Sequence, residues 1–133
     1  MRTYPIADHD GTIFAVEIEN IYVTPGRLAR LLRDIDGVTS VQKRELFGAS
    51  PDIHVRFAYR GRPFLVWEPY GDSSRYWIGP EDDEGDRIDI HPIEQALRCY
   101  QVPWLTKIFG DLISLKFLLE FLINFLCMIN WKV

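Results

Sequence analysis

At 133 residues, with 47% apolar and 26% charged side chains, the chain has the material for one hydrophobic core, and its composition excludes global disorder. Its net charge of −4 is local: residues 81–89 hold six acids and one base, net −5, which leaves the rest of the chain at +1. With no concentrated basic stripe, nucleic-acid binding is not expected.

The N-terminus, Met1-Arg2-Thr3-Tyr4-Pro5, runs into the charged Asp8-His9-Asp10 without an apolar stretch. No secretory signal is read there, and the expected compartment is the cytoplasm. Cys99 and Cys127 lie far apart and both fall in helical patterns, so reduced thiols packed in apolar surroundings are expected rather than a disulfide framework.

Residues 12–19 alternate: Phe14, Val16 and Ile18 on one side, Ala15, Glu17 and Glu19 on the other, the period of a half-buried strand. Thr24-Pro25 then supplies an N-cap and a proline suited to the first helical position. Leu28, Leu31, Leu32 and Ile35 follow at helical spacing, opposite Arg27, Arg30, Arg33 and Asp34. Asp36-Gly37 is expected to close this helix, with glycine at a left-handed C′ position.

Four strand-like runs come next, at 38–47, 52–60, 63–68 and 75–78. In the second, Ile53, Val55, Phe57 and Tyr59 are expected inward and His54, Arg56, Ala58 and Arg60 outward. Arg60-Gly61-Arg62 and the cluster from Tyr70 to Ser74 mark turns. Short connections favour an antiparallel meander, because parallel pairs need long crossovers. His91-Pro92 opens another helix, with Ile93, Leu97 and Tyr100 on one face. The expected fold is α+β: an antiparallel sheet of about five strands, helices packed on one face, in the order β-α-β-β-β-β-α-α.

The final segment is the unusual one. From 102 to 131, 20 of 30 residues are apolar, yet Asp111, Lys116 and Glu120 interrupt the run. A spanning helix needs about 20 mostly apolar residues, and a central charge costs roughly 2.5–3.5 kcal/mol on insertion scales. Lys116, Glu120 and Asn124 recur every fourth residue and share one helical face, which makes the segment an amphipathic helix with a wide apolar arc. The expected organisation is an α+β domain over 1–101 and a C-terminal helical segment over 102–133, packed on that domain or on a partner. Membrane docking through 108–131 and homo-oligomerisation are the further uses of such an arc.

No complete catalytic, metal or nucleotide motif is present, so no enzyme, cofactor or metal is expected. Asp8-His9-Asp10-Gly11 and Asp52-x-His54 superficially resemble ligand clusters, but zinc wants about four convergent ligands at recognisable spacing. Glu17, Glu19, Glu45 and Glu68 are acids whose spacing gives no sign of convergence. Two features suggest binding instead. The acidic run Glu81, Asp82, Asp83, Glu84 and Asp86 can steer a basic partner. The adjoining Trp67, Tyr70, Arg75 and Trp77 are residue types favoured as interface anchors, although aromatic cross-strand pairs also simply stabilise hairpins. The leading expectation is a non-catalytic module that binds and neutralises a specific, basic protein partner, with the functional logic of an immunity protein. The alternative is a structural or assembly subunit acting through the C-terminal helix.

Overall fold

The computed structural model describes residues 1–44, 52–69, 74–82, 87–113 and 115. The chain divides into two units, Met1–Gln101 and Val102–Val133. The first is an α+β domain with one six-stranded sheet. Its strands are β1 (Thr3–Ala7), β2 (Ile13–Glu19), β3 (Val38–Lys43), β4 (Ile53–Tyr59), β5 (Arg62–Trp67) and β6 (Arg75–Pro80). They lie in the order β1-β2-β6-β5-β4-β3, and every neighbouring pair is antiparallel.

The expected meander is therefore present as β3 to β6, and the N-terminal hairpin β1–β2 adds beside β6. Strand β1 escapes the periodicity because it is a five-residue edge strand interrupted by Pro5, a residue that sheets tolerate at edges. Its hairpin turn is the Asp8–Gly11 segment. Asp8 N donates to Thr12 O and Gly11 N to Asp8 O, with Gly11 at φ 86°. Hydrogen bonds from Thr12 hold the Asp10 carboxyl below its ordinary range. The β4–β5 connection is the two-residue turn Arg60-Gly61, both at positive φ (49° and 80°), the form that matches strand twist.

Helix α1 (Pro25–Arg33) carries the chain from β2, over the sheet, to the far edge at β3. Thr24 caps it, its hydroxyl accepting from Arg27 N at 3.3 Å, an interaction worth about 1 kcal/mol. The helix ends earlier than the Asp36-Gly37 reading. Its last helical residue is Arg33, and Gly37 at φ 82° belongs to the turn into β3, where the Tyr59 ring passes close by. Helix α2 (His91–Cys99) packs against β1, β2 and α1. It buries Ile93, Glu94 and Leu97, and Cys99 falls off that face and is exposed, contrary to the expectation of a packed thiol.

Alternate residues of the strands meet these helices. Val16, Ile78, Val66 and Val55 form one row across β2, β6, β5 and β4, every one of them fully buried. Beside it Phe57 and Phe64 pair across strands at 5.6 Å, and Tyr59 meets Phe64 edge-on at 6.0 Å. Leu28 and Leu32 of α1 and Ile93 and Leu97 of α2 close this core.

Two bulges reset the alternation read from sequence. A register shift where Ala7 meets Ile13 lets Ile13 pack on the core, and Phe14 lies beneath the Arg87 guanidinium at 3.9 Å. A second shift between Ile53 and Val55 places Ile53 opposite Trp67 and not on the core row. One extra residue in a strand reverses the face of everything before it.

In the second unit, residues 104–113 are helical. Trp104, Leu105, Ile108, Phe109, Leu112, Ile113 and Leu115 are 45–68% exposed. No helix among the described residues is long and apolar enough to cross a membrane. The Lys116–Glu120–Asn124 stripe and Cys127 lie outside the described residues.

Candidate functional site

The sheet face away from the helices is where the proposed anchors meet. Trp67 and Trp77 are direct cross-strand partners on β5 and β6, and Ile53 is the partner of Trp67 on β4. The two indoles stand at 80° with centroids 6.2 Å apart, a corner and not a stack. Leu65 lies beneath, opposite Gly79. Gly79 is needed at that position: a Cβ there would come within 2.4 Å of the Trp77 ring, so the indole lies along its own strand over bare backbone.

Asp52, Pro80, Glu81 and Asp82 complete the lining of this open depression of about 510 Å³. Glu81 accepts from Arg56 Nε at 3.1 Å, and Asp82 from Arg62 Nη2 at 3.3 Å. Asp52 has no ion-pair partner among the described residues. Trp67, Trp77, Glu81 and Asp82 are thus brought together. Asp83, Glu84, Asp86 and Tyr70 lie outside the described residues.

Arg75 is placed elsewhere. Its Nη1 donates to Glu17 Oε2 at 2.8 Å and its guanidinium sits 4.0 Å above the Tyr4 ring. It is committed to holding the β1–β2–β6 side of the open face. Tyr4 also donates to Glu19 at 2.9 Å. Glu17, Glu19 and Glu68 each serve a different partner, and Glu45 lies outside the described residues.

Sequence reasoning did not place Asp52, Ile53, Leu65, Gly79 or Pro80 at this site. Leu65 was within reach, because it shares its parity with Trp67 in the run Phe64-Leu65-Val66-Trp67. Gly79 sits two residues after Trp77, hence on its face. Ile53 had no such signal, because only the bulge turns it over.

Two other polar clusters occupy the helix side. Asn20 Nδ2 donates to Glu68 Oε1 at 2.8 Å, and His54 Nε2 lies 3.4 Å from Glu68 Oε2 without an aligned hydrogen bond. Tyr76 meets the His54 ring edge-on at 5.2 Å. Burial, with the Glu68 charge added, pushes the Tyr76 hydroxyl up to about 12, so it keeps its proton at neutral pH. At the other cluster Glu94, 1% exposed, accepts from Thr3 Oγ1 at 2.6 Å and from Arg98 Nε at 2.9 Å. The Arg98 hydrogen bonds hold its carboxyl below the ordinary value, against the opposing effect of burial. This contact ties edge strand β1 to α2. Among the described residues no group of three His, Cys, Asp or Glu side chains is placed to hold a metal ion.

No protein family, characterised protein or solved structure matches this chain in comparisons of sequence and of fold.

Proposed function

We propose that the chain is a non-catalytic binding module that docks a specific, basic protein partner on the open face of its sheet and neutralises it by occlusion, in the manner of an immunity protein. One observation carries this reading: Trp67 and Trp77 meet on the sheet face opposite α1 and α2 and line a depression edged by three carboxylates. Large rigid aromatics in a partly desolvated hollow are the usual energetic centre of an interface. Because Glu81 and Asp82 are already paired with Arg56 and Arg62, the acids serve to steer the partner, while the indoles supply most of the affinity.

The protein that co-purifies with the native chain supplies the test, with the neighbouring gene as a first candidate for it. In titration calorimetry Trp67→Ala or Trp77→Ala lowers affinity by at least about 30-fold, an anchor contribution of roughly 2 kcal/mol. Glu81→Gln with Asp82→Asn mainly slows association and flattens its salt dependence. A partner bound equally well by both tryptophan variants rules the reading out.

A second reading has its own observation. The seven exposed apolar side chains of residues 104–115 form a patch that favours self-association through this helix. Sedimentation over a range of concentrations tests it: the parent chain assembles, and Phe109→Ser with Leu112→Ser abolishes assembly. A monomer at all concentrations removes it.

A further inference from the structure

We propose that the depression between Trp67 and Trp77 is a receptor for one arginine side chain, presented by the partner. The inference rests on the binding-module reading and adds the chemistry of the group that is recognised.

Three features of the hollow select a cation. Its two aromatic walls meet at 80°, and an indole face attracts positive charge through its quadrupole. Among the described residues its lining contains three carboxylates, those of Asp52, Glu81 and Asp82, and no basic side chain. The two arginines that neutralise Glu81 and Asp82 lie outside the lining, which leaves Asp52 as the carboxylate still to be matched. An anion would meet the unmatched charge of Asp52, and a purely apolar group would strip water from that carboxylate without return.

Within the cations, the shape selects guanidinium. Ile53, Leu65 and Pro80 offer apolar surface for an aliphatic stem, and the indoles offer flat surfaces for a planar head group. A guanidinium stacked on an indole can still form a forked pair with a carboxylate such as Asp52, which an ammonium cannot do. The wall is also set in advance. Gly79 leaves the space that the Trp77 ring fills, so the indole does not have to be ordered when the ligand arrives.

The probe is a capped Gly-Arg-Gly tripeptide, compared with its citrulline and lysine counterparts and read by the indole N–H resonances of the four tryptophans of the full chain. The arginine peptide shifts Trp67 and Trp77 saturably with a dissociation constant on the order of millimolar, while Trp104 and Trp131 stay in place. Citrulline, equal in shape but uncharged, gives no saturable shift, and lysine binds several-fold more weakly. Asp52→Asn weakens the arginine peptide about fivefold and leaves the unfolding temperature unchanged. Gly79→Ala, which displaces the Trp77 ring, weakens it at least as much.

Equal responses to arginine and citrulline overturn the proposal, as do equal responses to arginine and lysine or an Asp52→Asn variant that binds like the parent. The two readings fail separately. A partner lost on Trp67→Ala while the peptide never binds refutes the arginine site alone. A peptide that binds while the partner ignores Trp67→Ala refutes the docking face alone.

Discussion

The same four central strands present two unlike faces. Toward the helices, Val16, Ile78, Val66 and Val55 make a continuous apolar row with no accessible surface. One residue further along each of β2, β6 and β5, the row becomes Glu17, Trp77 and Trp67, with Tyr4 and Ile53 at its two ends. The first face is stabilised by removal from water. The second carries the ion pair Arg75–Glu17 on its β1–β2–β6 side and, apart from it, the pair Arg56–Glu81 beside an aromatic hollow. The two-residue period of the strand thus separates the packed face from the face on which docking is proposed, and either is expected to tolerate change with modest effect on the other.

Substitutions can break this contrast, beginning with the strongest. Phe64→Ala, at a site 2% exposed beneath Phe57 and Tyr59, is expected to lose about 3–5 kcal/mol in urea unfolding. Glu94→Gln, which removes the charged link between β1 and α2, costs roughly 1–3 kcal/mol at neutral pH. The pH dependence follows from the sign of its shift. The folded-state pKa is depressed below the ordinary 4.5, so this contribution is complete above that value and disappears as pH falls through the folded pKa. Unfolding curves of parent and variant should therefore converge in acid.

On the open face the losses are smaller. Trp77→Ala costs about 1 kcal/mol of stability, the order of one aromatic pair, although it removes one wall of the hollow. Arg56→Ala, at an exposed ion pair, changes stability by no more than about 0.5 kcal/mol. A Trp77 variant that destabilises as much as the Phe64 variant would show that the two faces are not separate.

Much of this was legible in the chain. Alternation marked β2 and β4, strand-like runs marked β3, β5 and β6, and Thr24-Pro25 and His91-Pro92 marked the helix starts. Arg60-Gly61 marked the hairpin turn, and the opposite parity of Trp67 and Val66 already separated the aromatic face from the core. What escaped was whatever a short local pattern does not encode. Strand β1 has only five residues and a proline. The burial of Glu94 is tolerated because Thr3, 91 residues away on β1, joins the helical neighbour Arg98 in satisfying it. Cys99 has the neighbours of a core residue, but its helical phase turns it to water.

By itself the sequence determined the α+β class, the strands of the meander, the start of each domain helix and the placement of Trp67 and Trp77 in adjacent strands. These follow from local rules of period, cap and turn. Only the tertiary structure decided that β2 pairs with β6, that a bulge turns Ile53 toward Trp67, and that Arg75 is held by Glu17 and Tyr4 away from the hollow. The physical reason is register. A single inserted residue or a non-sequential strand pairing leaves the hydrophobic pattern almost unchanged, yet it redistributes every side chain between the two faces of the sheet.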